Sequence, residues 1–287
     1  MAAMRVVLVA GLIGALPSTG LFADEAPART SERLLDEGLG LSVNRLGLQN
    51  TLDLARIWRL SASRNPLVAD AHVSLGITHT LTPSYTRLGP WVEVAPLSVF
   101  DVRLGAEGAG YFGTFGSLMS FAGYGDSFSD ELRNSRKDEA QAGIGSRLYV
   151  SPTVKMRVGP VLAASGADFE WWRSNASGPL YYEPSRDTLL KVDGDRLVAS
   201  SSVVLVQHEM KGRGTIAWGL SHNLTYVFAA PSNRSQRVGV VLLRQFTGRR
   251  FGLKAPKVAG QVSYYLYDPT RKGQLTAALG LSMGLSR

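Results

Sequence analysis

The 287-residue chain contains no cysteine. Disulfide frameworks, thiolate metal sites and cysteine nucleophiles are excluded together. So is a lipidated N-terminal anchor, which needs a cysteine at its cleavage point. No run of five or more Lys or Arg occurs, although the net charge is +8. Chains that bind nucleic acid usually cluster such charge on one face, and here it is scattered, so nucleic acid is not an expected partner. Beyond residue 23, no stretch approaches about eighteen consecutive apolar residues, so no transmembrane helix is expected in the mature chain. Walker-type lysine motifs and H-E-x-x-H are absent as well.

What is present begins with an export signal. Arg5 precedes an apolar stretch over residues 6–16, broken by Pro17, Ser18, Thr19 and Gly20. Leu21-Phe22-Ala23 then meets the acidic Asp24-Glu25. This pattern reads as a secretory signal peptide over residues 1–23, cut after Ala23. Its core is too short for a bilayer, which needs about twenty residues. Residues 24–38 read as a polar periplasmic lead-in.

From there on, Gly, Pro and Ser punctuate runs of about ten residues. Four runs alternate cleanly. In 274–286, Gln274, Thr276, Ser282 and Ser286 oppose Leu275, Leu279, Leu281 and Leu285. In 66–81, Asp70, His72, Ser74 and Thr78 oppose Leu67, Val73, Leu75 and Ile77. The runs 213–229 and 257–267 repeat the pattern. Successive strand side chains point to opposite faces, so each run has one polar and one greasy face. A mean hydropathy of +0.01 is what such alternation produces.

Turn chemistry places tight links at Ala95-Pro96-Leu97, Val150-Ser151-Pro152, Asn65-Pro66 and Lys211-Gly212, and long polar loops at 113–138 and 174–187. Strands are expected at 39–48, 51–61, 66–81, 85–95, 98–112, 139–150, 153–172, 187–208, 213–229, 236–247, 257–267 and 274–286. That makes about twelve, or ten if the weak first hairpin is discounted. Tyr226, Phe228, Tyr264, Phe169 and Trp171 fall where an outer interfacial belt belongs, and Trp58 where an inner one does.

The signal, the alternating strands and the alternation of short turns with long loops resemble the bacterial outer-membrane β-barrel class, over about residues 39–287. The resemblance implies an all-β, antiparallel, up-and-down transmembrane barrel in a Gram-negative-type outer membrane, with both termini periplasmic. It implies lipid and lipopolysaccharide around the barrel, the barrel assembly machinery as a partner, and a monomer. The chain departs from the class at its end, Leu285-Ser286-Arg287, where a closing aromatic is usual.

Candidate chemistry is sparse. His72 and Ser74 share a lumen face but point away from lipid. His79 and His222 fall on the lipid face, with no serine read beside them there. Gly108-Ala109-Gly110-Tyr111-Phe112-Gly113 matches G-x-G-x-x-G, but no helix is expected after it. Asp193-Gly194-Asp195 reads as a turn. No catalytic constellation, metal site or cofactor is expected. The lumen-lining candidates are Asp53, Arg59, Asp70, His72, Glu93, Asp101, Arg103, Glu107, Glu139, Arg147, Lys155, Arg157, Arg196 and Lys257. The expected function is a narrow pore, mildly favouring anions, or a structural barrel. A lipid-active barrel hydrolase and a soluble periplasmic β-protein are the alternatives.

Overall fold

The computed structural model describes residues 31–284 apart from positions 45, 64, 251 and 252, together with the short pair Arg5–Val6 and Thr19–Gly20. Cleavage after Ala23, the lead-in over 24–30 and the chain end at 285–287 lie outside the described residues.

Twelve antiparallel strands close on themselves. They are β1 (Ser31–Val43), β2 (Gly47–Arg59), β3 (His72–Leu81), β4 (Tyr85–Leu97), β5 (Phe100–Phe112) and β6 (Ala142–Val158). β7 (Val161–Ser174), β8 (Asp195–Met210), β9 (Gly214–Val227), β10 (Ala230–Gln245), β11 (Lys257–Tyr267) and β12 (Leu275–Gly284) complete the ring. Each strand pairs with its sequence neighbours, and β12 closes on β1 through pairs such as Leu281↔Leu39. Closure leaves no unpaired edge.

The alternation predicted for 257–267 and 274–286 survives as built. Gln261, Ser263, Thr276 and Ser282 are buried inside, while Val262, Leu275 and Leu279 stand on the outer surface. The same outer surface carries Leu54 at 53% and Leu220 at 66% exposure. That is the apolar exterior a closed barrel offers to lipid. Phe169, Trp171, Tyr264 and Phe228 are also exposed on it, and Tyr226 meets Phe228 edge-on at 5.6 Å.

Several boundaries differ from those predicted. Ala95-Pro96-Leu97 is no turn, because β4 runs through it to Leu97 and turns at 98–99, and β10 starts at Ala230 rather than 236. The barrel starts at Ser31, so residues 31–38 belong to β1 and not to a lead-in. The first hairpin is therefore real, which decides for twelve strands over ten. Pro152 is no turn, because β6 runs through it and pairs it with Val102. A proline removes one N–H, so only one of its two ladders suffers, and the ladder to β7 skips Ser151 and Pro152. The turn comes later, at Gly159-Pro160, where Gly159 has φ +57°. Finally, residues 66–70 form a turn before β3, and residues 187–194 precede β8.

Two glycines admit large rings to the interior. A Cβ on Gly76 would meet the Trp91 ring at 2.4 Å, and one on Gly105 would meet the Tyr149 ring at 2.3 Å. Trp91 pairs with both glycines, so its indole lies across bare backbone. Gly105→Val is expected to overpack this layer and cost about 1–3 kcal/mol. A lowered denaturation midpoint of the micelle-folded protein would register it; an unchanged midpoint would show that the ring layer has slack.

Candidate functional site

The turns alternate between the two ends of the barrel. One end carries the start of β1, the end of β12, the tight links at 98–99, 159–160 and 211–213, and the longer β2–β3 and β10–β11 connections. The other carries the two long loops, 113–141 and 175–194. These loops are not loose. Ser120–Phe121, Leu180–Glu183 and Thr188–Lys191 form a small three-stranded sheet that joins the two loops. Beside it, the short helix α1 (Asp130–Ser135) is capped by Ser129, whose side chain accepts from Leu132 N–H at 3.3 Å.

The loop sheet has a core of its own. Met119, Phe121, Phe128, Leu180, Tyr182 and Leu189 pack together, each at most 4% exposed. Leu118, Tyr181 and Leu190 continue into barrel residues Tyr111, Trp172, Leu197 and Val227. The loops thus form a folded cap seated on the barrel mouth by apolar burial.

Charged groups fasten the cap. Arg186 descends from it into the barrel, where its Nε donates to Glu170 Oε2 at 2.9 Å and its Nη2 to Asp168 Oδ2 at 3.0 Å. Burial is the largest single influence and by itself would favour losing that proton, but the attraction and hydrogen bond of Glu170 together with Asp168 raise the guanidinium pKa above its ordinary value. Glu170 is 1% exposed and also accepts from Trp172 Nε1 at 2.7 Å. From the barrel wall, Arg147 donates to Glu107 at 3.1 Å and to Glu170, and its guanidinium lies 4.2 Å from the Tyr149 ring. Arg87 reaches Glu107 at 3.6 Å. Three arginines and three carboxylates therefore neutralise one another beneath the cap.

A second fastening comes from across the mouth. Arg271, in the β11–β12 connection, donates to Asp130 of α1 at 2.8 Å and to Asp187 of the cap. Tyr182 donates to the same Asp187 at 2.6 Å. Arg271→Ala is expected to weaken this clamp by about 1–3 kcal/mol. Amide exchange at Leu189 and Leu190 should then accelerate roughly 5- to 150-fold; unchanged exchange would assign the clamp no weight.

Toward the terminal end, charges pair along the wall from β2 to β6. Glu93 accepts from Arg103 at 2.9 Å and lies 3.2 Å from His72 Nε2, while Lys155 donates to Asp101 at 2.9 Å. Asp53 accepts from Thr78. Arg59 reaches Glu32 at 3.3 Å, and Arg157 turns back to the carbonyl of Gly159. Lys257 stands on the inward side of β11, in line with buried Ala259 and Gln261. The wall of β8 to β11 is different, holding Val203, Leu205, Ala217, Val241, Leu243 and Ala259 below neutral Ser201, Ser221 and Gln261.

Three lumen candidates lie elsewhere. Asp70 sits in the turn before β3, because the chain bends at Asn65-Pro66 and the strand starts only at His72. Glu139 lies in an exposed 3-10 turn, paired with Arg136 at 2.6 Å. Arg196 points outward, because Asp195 and Leu197 take the inward positions and Leu197 packs into the cap core. The excess of inward cations also disappears. Asp36, Asp168 and Glu170 are buried inside and were not read from the sequence; with Arg87 and Arg186 added on the other side, the inward charges are close to balance, so the basis for an anion preference is gone. Arg186 was missed because a loop residue carries no periodicity.

The histidines resolve as well. His72 spends both ring nitrogens on the Asp70 carbonyl, at 2.7 Å, and on Glu93, so it forms no pair with Ser74. His79 contacts Thr86 Oγ1 at 2.9 Å on the outer surface. His222 also lies outside, and there a serine does stand beside it: Ser202, directly opposite on β8. Gly108–Gly113 ends β5 and leads into a turn, with no helix following. Asp195 accepts from Tyr124, and no group of three metal-binding side chains occurs among the described residues.

No family model and no curated protein matches the chain. Among solved structures, the NanC porin is 11% identical, with 87% of this chain and 98% of that chain covered at a TM-score of 0.42. The β domain of the Bordetella autotransporter BrkA is 14% identical, covering 88% and 99% at 0.40. OprB of Pseudomonas putida is 9% identical, covering 90% and 94% at 0.34. The chain's resemblance is to the bacterial outer-membrane β-barrels as a class.

Proposed function

We propose that the protein is an outer-membrane β-barrel with a narrow passage, held shut at its outer mouth by the loop cap. The carrying observation is Arg186, a loop residue whose guanidinium is inserted between Glu170 and Asp168 inside the barrel. An exposed loop gains nothing from such an insertion unless its position matters, since burying an arginine is costly without partners. Twelve strands lie between the filled eight-stranded barrel and the open channels of about sixteen, so a lumen of this size conducts or not according to what fills it. The apolar exterior supports a membrane setting over a soluble one, because soluble proteins rarely expose continuous apolar surface. The two long loops at the opposite end support assigning the end with the start of β1 and the end of β12 to the periplasm. Outer-membrane lipid, lipopolysaccharide and the barrel assembly machinery are the partners this reading requires, and the barrel works as a monomer.

Proteoliposome swelling in small sugars tests the reading. Slow swelling with the wild type and fast swelling with Arg186→Ala is expected. Equally slow swelling with both, in folded protein, would leave a structural barrel without a passage.

A further inference from the structure

The outward face of β7 to β10 carries a polar row where lipid contact calls for apolar side chains. Ser165 on β7 pairs with Ser202 on β8, and Ser202 pairs with His222 on β9. The two serine hydroxyl oxygens lie 2.9 Å apart. On the other side of the imidazole, the Gln236 amide of β10 lies 2.9 Å from His222 Nε2. Around them the same face presents Val204, Leu220, Val238 and Val240, all exposed. Hydroxyls, an imidazole and an amide set in hydrocarbon are costly, and polar residues kept at such positions mark function more often than fold.

The order of the row is chemical. A hydroxyl stands directly opposite a histidine, and cross-strand partners bring their Cβ atoms within about 4.5–5.5 Å. The far nitrogen of that histidine is engaged by an amide, which fixes the orientation of the ring. Nδ1 has no hydrogen-bond partner among the described residues, so it is the nitrogen open toward Ser202. Nucleophile, base and orienting group thus follow one another across three strands. Ser165 adds a second hydroxyl beside the nucleophile. As it stands, the Gln236 side-chain nitrogen faces Nε2, which leaves the ring proton on Nδ1; the two amide atoms exchange by a flip of the side chain, and with the carbonyl oxygen facing the ring instead, the proton sits on Nε2 and Nδ1 becomes the base.

We propose that Ser202 and His222 form an acyl-ester hydrolase site in the outer wall, acting on ester-linked acyl chains of membrane lipid. Ser202 Oγ bonds to the ester carbonyl carbon as its proton passes to His222 Nδ1. The Ser165 hydroxyl donates to the developing oxyanion. Collapse breaks the carbon–oxygen bond to the lipid alcohol, which leaves with the proton from His222. Water, deprotonated by His222, then cleaves the acyl-serine to release a fatty acid and restore the hydroxyl. Gln236 acts as a positioning residue through the imidazole. The site lies outside the barrel and is independent of the cap and of any passage.

A fluorophosphonate probe, which captures activated serines, tests this on protein folded in micelles, alongside fatty-acid release from phosphatidylethanolamine vesicles. Labelling is expected at Ser202 by peptide mass spectrometry, abolished in Ser202→Ala and slowed about 10²- to 10⁴-fold in His222→Ala. Gln236→Ala should slow labelling and shift its pH profile, and Gln236→Glu should restore the rate. Heat-modifiable migration verifies that each variant is folded. Folded wild type that takes no label and releases no more fatty acid than Ser202→Ala overturns the proposal. So does a change of oligomer size in His222→Ala without any labelling, which would make the row an interface between copies.

Discussion

Arg147→Ala is expected to destabilise the barrel by about 3–5 kcal/mol, the cost of breaking a buried charge network from one side. Arg147 is 6% exposed and donates to carboxylates on both neighbouring strands, Glu107 on β5 and Glu170 on β7. Removing it leaves Arg186 as the one cation on Glu170, beside the Trp172 N–H, and Arg87 as the one cation on Glu107, among the described residues. The guanidinium also covers the Tyr149 ring, so packing is lost with charge. Equilibrium unfolding in urea, followed by tryptophan fluorescence of folded micelle samples, measures the effect. Replacing Arg147 with Met in a background that also carries Glu107→Gln and Glu170→Gln should recover much of the loss, because no carboxylate is then stranded. A single-variant cost below about 1 kcal/mol, the range of exposed pairs, would contradict the burial of this network.

Arg186→Ala is expected to act on the mouth more than on the barrel. Its charge-assisted bonds contribute about 1.5–3 kcal/mol to the seated cap. Losing them shifts a closed–open equilibrium by roughly 10- to 150-fold toward open, and solute flux should rise in proportion until the open state dominates. Asp168→Asn with Glu170→Gln should open the mouth as well, from the other side of the same bonds. Arg186→Lys should restore closure only in part, since one ammonium cannot reproduce the planar fork that reaches two carboxylates. The barrel itself should keep its heat-modifiable migration in every case. Folded variants that all swell liposomes no faster than wild type would contradict a passage gated by the cap.

How much of this was legible depends on contrast between the two faces of a strand. β3, β9, β11 and β12 set small polar residues against Leu, Val, Ile or Trp, and their inward and outward sides follow from the sequence alone. β1 lacks that contrast over Ser31–Gly38, since Glu32 and Asp36 face inward while Arg33 and Glu37 lie on the outer side. A segment polar on both faces resembles a lead-in until its ladder partners are known. β8 runs through Ala199, Ser200, Ser201 and Ser202, where small residues on both faces hide the register, and Arg196 was misplaced for that reason. Proline misled at Pro152 because a barrel strand has two ladders and tolerates the loss of one bond. The charges under the cap were half legible: Glu107 and Arg147 lie on alternating strands, while Arg186 acquires its role only when the loop folds inward. The Ser202–His222 juxtaposition depends on register between strands, which periodicity within one strand does not reveal.

The absence of cysteine allows a direct test of the closed mouth. Ser201 is inward on β8, 2% exposed, and without a hydrogen bond at its hydroxyl, so Ser201→Cys is a near-isosteric reporter inside the barrel. Ser177→Cys, on the long 175–194 loop, serves as the exposed reference. Intact cells carrying each variant are treated with a membrane-impermeant maleimide, and labelling is followed in time. With the cap seated, the cysteine at 201 should label far more slowly than the one at 177, and adding Arg186→Ala should bring the two rates together. Equal labelling of both positions in the otherwise wild-type protein would contradict a barrel closed at its outer mouth.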